Sequence, residues 1–407
     1  MNKKFLIIGF SPGLGIFLSA LVKSLKNRGH KAILVGELIS ARLCFKNLDK
    51  EEINKIIAYE NKFYNPNNIP GLKQQLINYT KRCACNLSRI INSTNFTDMI
   101  VWNGAPIFAQ VAICLAKRKK IKIWYMENGS LPNTLQLDSK GINYDNSLSE
   151  KSSDFYLKQN YKFENYCSSI TPLPHPPKFH HPFEMLFRYL NKFGIWFFIY
   201  IFWKNFLPDQ YGKYLRKKVG EDKVDLPKKF IFIPLQVQDD TQIIINSPHI
   251  DNMNEFVELC YKTIKKVDPN IRVVVKEHPQ DFGRRSYKKL SKKHKDIIWL
   301  KKYPINEVLK KSSVVITINS TVGIEALAYN KPVITLGKAF YNVDGLVHHA
   351  VQPEQLPELV NLALKNKPNL TLIDKFLGYL QKKYFIKGSW RKFSQETLNE
   401  ITKKLLG

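Results

Sequence analysis

Two polar clusters, each closing a run of β-branched apolar residues, carry the side chains best suited to holding an anion. Ile271-Arg272-Val273-Val274-Val275 stops at Lys276-Glu277-His278-Pro279. Val314-Val315-Ile316-Thr317-Ile318 opens into Asn319-Ser320-Thr321-Val322-Gly323, followed by a helical Ile324-Glu325-Ala326-Leu327-Ala328. Hydroxyls beside the unpaired N–H groups of a helix start can hold a phosphate, and Asn319, Ser320 and Thr321 fall at that point. Carboxylates end two other runs. Asp239 and Asp240 lie in the loop after Lys229 to Leu235, and Glu127 follows Ile121 to Met126, ahead of Asn128-Gly129-Ser130-Leu131-Pro132. A carboxylate between a strand and a Gly-Pro loop is placed to face a cleft. Each residue also has a structural reading: Glu127 as a capping or ion-paired group, His278 as a strand-end residue, Glu325 as a helix-surface charge.

Positioning these groups requires buried parallel strands, because ligands in such sheets sit at the carboxyl ends. Phe5 to Phe10, the turn Ser11-Pro12-Gly13-Leu14-Gly15, an amphipathic Ile16 to Asn27 and a strand Lys31 to Val35 make a βαβ opening. Residues 46–97 have helical spacing, Asp98 to Gly104 reads as a strand with a polar exit, Ile121 to Met126 reads as another strand, and Asn133 to Ser147 reads as a loop. Thr171 to Phe183, with Pro174-His175-Pro176-Pro177 and His180-His181-Pro182, reads as a linker, since its histidines lack carboxylate or cysteine partners at metal-ligand spacing. After Phe230 the β and α signals alternate again, which predicts two facing Rossmann-like domains. The expected division is 1–170, a linker with an aromatic amphipathic helix over 171–224, a second domain over 225–380, and a helical segment over 381–407.

Composition narrows the partners. With 407 residues the chain is long enough for two cores, and its 63 Lys and Arg against 34 Asp and Glu give a net charge of +29. That excess favours polyanions or anionic lipid surfaces, beside the plain alternative of a solvated lysine-rich surface. Nucleic acid is not expected, because zinc-finger spacing, an RNP-type motif and a basic tail are all lacking. Gly194 to Trp203 is too short to span a bilayer but suits an interfacial helix, with a buried helix as the alternative. The six cysteines are scattered and are expected to be reduced thiols. The apolar N-terminus breaks at Ser11-Pro12-Gly13, so it reads as a first strand rather than a signal peptide.

In combination, Gln236 to Asp240, Lys276 to Pro279 and Asn319 to Gly345 resemble the bacterial capsule polysaccharide biosynthesis and export proteins, which include the retaining β-Kdo glycosyltransferases. The similar elements are the Gln-x-x-x-Asp loop, the His-Pro pair, the Asn-Ser-Thr-Val-Gly-x-Glu-Ala turn and the Lys-Pro-Val-Ile-Thr-Leu-Gly-x-Ala-x-Tyr stretch. Glu127-Asn128-Gly129 and Lys140-Gly141-Ile142-Asn143 look like the family's first half. The resemblance implies a GT-B-like fold, a CMP-Kdo donor and no other cofactor or metal. It also implies a lipid-linked or glycan acceptor, capsule assembly proteins as partners, and a place at the inner face of the cytoplasmic membrane. By similarity, His278 and Pro279 contact CMP, Ser320 and Thr321 lie near its phosphate, Asp240 is the catalytic aspartate and Glu127 the acid/base. Gln236, Lys276, Asn319 and Gly323 complete the donor-side motifs.

Retaining transfer can run through a carboxylate nucleophile with a second carboxylate acting as acid and then base, and Asp240 and Glu127 fit these roles. The departing phosphate needs donors, which His278, Ser320, Thr321 and a helix N-terminus supply. Asp239 beside Asp240 leaves the nucleophile open by one position. Glu325, one turn inside the helix, is a ribose or ring-hydroxyl partner. Competing readings are a transferase or epimerase using CMP-sialic acid or a UDP-sugar, and a non-catalytic capsule assembly protein.

Overall fold

The computed structural model describes residues 2–9, 12–36, 48–64, 68–164, 182–201, 203, 207–282 and 284–407. The Pro/His stretch that was expected to be a linker falls almost wholly outside them, as does Ser11 of the glycine-rich turn. The strands are β1 (Lys4–Ile8), β2 (Lys31–Val35), β3 (Asp98–Trp102), β4 (Lys122–Asn128), β5 (Thr134–Asp138), β6 (Phe230–Pro234), β7 (Arg272–Lys276), β8 (Ile298–Leu300), β9 (Val314–Thr317), β10 (Val333–Thr335), β11 (His348–His349) and β12 (Ile386–Lys387).

They form two six-stranded sheets among the described residues, in the orders β12-β5-β4-β3-β1-β2 and β11-β10-β9-β6-β7-β8. The expected α/β class, with parallel-rich sheets in both halves, is what the chain adopts. In the first sheet β1 to β4 are parallel, and β5 and β12 join antiparallel at one edge. The second sheet is parallel throughout. β3, β6 and β9 are buried along their whole length, as β-branched and aromatic runs covered by helices on both faces must be.

The chain divides into two compact units, but not at the expected boundaries. One unit comprises Met1–Ser147, Ser169–Ile201 and Tyr384–Gly407; the other comprises Leu148–Ser168 and Phe202–Lys383. The segment expected as a separate helical tail over 381–407 therefore belongs mainly to the first unit. Two contacts account for this. Tyr384 donates to the buried carboxylate of Asp138 at 2.9 Å, and Leu398, Ile401 and Leu405 of the last helix join the core formed by Phe17, Leu21 and Leu25. The reading of Asn133 to Ser147 as loop is also corrected, since β5 occupies its start. Thr-Leu-Gln-Leu-Asp is fully buried because Asp138 is satisfied by the N–H groups of Lys140 and Ser147, at 2.7 and 3.0 Å, and by the Ser147 hydroxyl at 2.6 Å.

The aromatic helix Pro182–Ile201 is broken at Gly194, whose φ of 70° suits glycine. Before the break it is anchored: Lys192 meets Glu60 at 2.5 Å, both nearly buried, and Phe193 is wholly buried in the first unit's core. After it, Ile195, Trp196 and Trp203 are 62, 80 and 66% exposed. No helix among the described residues is long and apolar enough to cross a membrane. Cys83, Cys114 and Cys260 are free thiols, but Cys85 is disulfide-bonded, which corrects the expectation for that residue.

Candidate functional site: the carboxyl edge of the second sheet

In the second sheet the strand order reverses between β6 and β9, and the crevice outside the carboxyl ends at such a reversal is where α/β sheets bind ligands. Gln236 leaves β6 and Asn319 leaves β9 at that point. Their side chains close on each other: Gln236 Nε2 donates to Asn319 Oδ1 at 2.9 Å, and the Asn319 N–H donates to Gln236 Oε1 at 3.1 Å. Thr317 adds its hydroxyl to Gln236 Oε1 at 3.3 Å, and Asn319 Nδ2 donates to the Gln242 carbonyl at 2.9 Å. Both amides are buried. They fix the two loops against each other, and their polar groups are spent in doing so.

That clamp presents the next residues at the edge. Ser320 caps the helix Thr321–Ala328, its Oγ accepting from the Val322 N–H at 3.1 Å, while Thr321 at the first helical position is exposed. Tyr341, a residue to which the sequence assigned no role, donates its hydroxyl to the Ser320 carbonyl at 2.6 Å. Gly323 is buried beneath it, and a Cβ there would lie 2.7 Å from the Tyr341 hydroxyl. A glycine is thus needed for close approach, not for its backbone angles.

At the neighbouring strand end, His278 caps a short turn over Pro279–Asp281, with Nδ1 accepting from the Gln280 N–H at 3.2 Å. This acceptance places the neutral ring's proton on Nε2, the atom suited to donate to an anion. Pro279 is exposed beside it. Lys276 turns its ammonium to the Lys301 carbonyl at 3.0 Å, and burial lowers its pKa.

The two aspartates after β6 differ. Asp239 is ion-paired with Arg284 and with Arg285, the latter at 2.6 Å. Asp240 is exposed and caps the helix Thr241–Asn246, accepting from the Gln242 N–H at 2.8 Å. One oxygen of Asp240 is held and the group remains at the surface, while Asp239 is neutralised.

Glu325 lies on the helix that Ser320 caps. Burial pushes its carboxyl up to about 7, and among the described residues nothing hydrogen-bonds or ion-pairs with it. Its folded pKa exceeds the unfolded value of 4.5, so its contribution to stability is complete below about pH 4.5 and is lost as pH rises through about 7. Glu325→Gln should therefore gain stability over the natural protein as pH is raised from 5 to 8, by on the order of 2 kcal/mol. Urea unfolding across that range tests it; a difference that stays flat with pH contradicts it.

Glu127 belongs to the first unit, at the end of β4. Asn103, which follows β3 with a φ of 63°, donates Nδ2 to Glu127 Oε2 at 2.7 Å. The Asn128 N–H and Nδ2 both donate to Oε1 at 3.0 Å. Both carboxylate oxygens are thus held as acceptors, oriented in part by Asn103 in its left-handed backbone conformation. Among the described residues no group of three or more His, Cys, Asp or Glu could hold a metal ion.

Residues 209–390 match the family model described as capsule polysaccharide biosynthesis protein. The similarity to that family covers residues 209–390 of the chain's 407. The matched stretch contains every residue named above at the edge of the second sheet and excludes Glu127. Protein FixF of Sinorhizobium fredii is 29% identical over 294 residues, covering 72% of this chain and 61% of FixF. The capsule polysaccharide export protein KpsS of Escherichia coli is 29% identical over 289 residues, covering 65% of this chain and 72% of KpsS. Among solved structures, the β-Kdo 2,7 transferase of Thermosulfurimonas dismutans KpsC aligns over 99% of this chain and all of its own, with 17% identity and a TM-score of 0.44.

Proposed function

We propose that the chain is a retaining glycosyltransferase that moves Kdo from CMP-Kdo to a lipid or glycan acceptor in capsule or surface polysaccharide biosynthesis, with no resident cofactor. The observation that carries this reading is the placement, after the neighbouring strands β9, β7 and β6 of one parallel sheet, of a capped helix start, a histidine with its proton on Nε2 and an exposed aspartate. Donors for a nucleotide phosphate and a nucleophile for the sugar carbon are thereby supplied by neighbouring strand ends. Glu127, oriented by Asn103 and Asn128, serves the acceptor hydroxyl. Thermal denaturation with nucleotides tests the donor: CMP should raise the Tm by several degrees and UDP should not. Stabilisation by UDP alone moves the donor to a UDP-sugar. Stabilisation by CMP without turnover of CMP-Kdo favours a non-catalytic role, a reading in keeping with the word export in the name of KpsS.

The acceptor side is proposed to lie on an anionic membrane at the inner face of the cytoplasmic membrane. The net charge of +29 and the indoles of Trp196 and Trp203, exposed beyond the anchored Lys192, support this. The protein should sediment with phosphatidylglycerol vesicles and be released as salt rises from 0.05 to 0.5 M, values about spanning weak to strong screening. Joint Trp196→Ala and Trp203→Ala substitution should weaken binding by about tenfold. Binding indifferent to salt and lipid charge, or unchanged in the double variant, argues against it.

A further inference from the structure

The loop that ends in Asp240 is tied on two sides. Toward β9 it is held by Gln236 and Asn319, and at its middle Gln238 Oε1 accepts from the Met253 N–H at 3.4 Å. Toward β7 the tie is ionic. Asp239 takes Arg284 on one carboxylate oxygen and Arg285 on the other, and Arg284 also approaches Asp281 at 3.7 Å. Asp281 closes the same turn that His278 opens. It is 2% exposed, neither of its oxygens makes a hydrogen bond of normal geometry, and the backbone N–H of Gln238 is close enough to act on its carboxyl.

We propose that Arg284 is a positioning residue: by bridging Asp239 and Asp281 it couples the loop bearing Asp240 to the turn bearing His278, setting the spacing between the two. The inference rests on the reading of Asp240 and His278 given above. Its physical basis is the fork of the guanidinium, whose separate N–H groups reach two carboxylates at once, which an ammonium on a flexible stem does less well. The cluster is balanced, with two carboxylates against two guanidinium groups. Burial, opposed by Arg284, pushes the Asp281 carboxyl up to about 6. Removing Arg284 would leave Asp281 buried beside no cation within 4 Å among the described residues, so the turn as well as the loop would be released.

The test has one arm that needs no substrate. In ligand-free protein, Arg284→Gln should speed amide hydrogen exchange over residues 236–242 at least tenfold while leaving β6 protected, and Arg284→Lys should restore part of the protection. In the second arm, CMP-sugar turnover by Arg284→Gln should show kcat falling about tenfold or more and KM changing by less than about threefold. Should Arg284→Gln fail to fold, Arg284→Lys is measured in its place: exchange over residues 236–242 faster than in the natural protein supports the coupling, and unchanged exchange overturns it. Unchanged exchange over 236–242, or a kcat equal to that of the natural protein, overturns the proposal. Faster exchange in a protein that turns over no CMP-sugar in its natural form leaves the coupling standing and removes the glycosyltransferase reading instead.

Discussion

Asp240→Asn should lower sugar transfer by about a thousandfold or more while leaving CMP affinity within a few fold. The substitution is informative because of what it keeps. Asn caps a helix about as well as Asp, so the bond from the Gln242 N–H and the helix Thr241–Asn246 should survive. Only the charge and the proposed nucleophilic oxygen are lost, and on that reading both matter in the transition state rather than in the bound nucleotide. Asp239→Asn is the control. It removes the partner of two arginines and loosens the loop, so a drop of about tenfold is expected, well short of that at Asp240. Glu127→Gln should be severe as well, since an amide cannot take and return the acceptor proton. Transfer by Asp240→Asn within tenfold of the natural protein, or a larger loss at Asp239 than at Asp240, would displace Asp240 from its role; an inverted anomeric product would remove the nucleophile altogether.

The parallel strands could be read from the sequence because both their faces are buried: a strand covered twice must be apolar throughout, and β-branched runs between turn residues are the direct imprint of that. β5 left no such imprint. Its Gln136 and Asp138 are polar, and Asp138 can be buried only because Lys140, Ser147 and Tyr384 come to it, the last from 246 residues away. The return of the C-terminal helix to the first unit was hidden for the same reason. It depends on Leu398, Ile401 and Leu405 meeting Phe17, and helical spacing alone does not say which core a helix joins.

At the carboxyl edge of the second sheet, residue types were legible and their commitments were not. Gln236 and Asn319 were identified as polar residues at strand exits. That they spend their amides on each other follows only from β6 and β9 being neighbours, a fact of topology. Likewise the choice between Asp239 and Asp240 could not be made from adjacent identical residues. It becomes a distinction only once Arg284 and Arg285 are seen to reach one of them.

Gly323→Ala should destabilise the protein and abolish its stabilisation by CMP, through a single contact. An added Cβ would stand 2.7 Å from the Tyr341 hydroxyl and 3.1 Å from its ring. Tyr341 is 2% exposed and bonded to the Ser320 carbonyl at 2.6 Å, so it has no open space to swing into. Two effects compete. Alanine favours a helix over glycine by at most about 1 kcal/mol, and less near the start of an eight-residue helix. Overpacking a closed site costs about 1 to 3 kcal/mol, and losing the tyrosine's bond adds about 1 more. The clash wins, and the Tm should fall by several degrees. Because the displaced group holds Ser320, the helix start shifts with it, and the proposed phosphate donors lose their alignment. Tyr341→Phe supplies the discriminating partner: alone it should cost about 1 kcal/mol, and combined with Gly323→Ala it should relieve the closest contact, making the double variant less damaged than the sum of the single ones. Strict additivity, or a Gly323→Ala protein as stable as the natural one and equally responsive to CMP, would show that Tyr341 does not hold the edge in place.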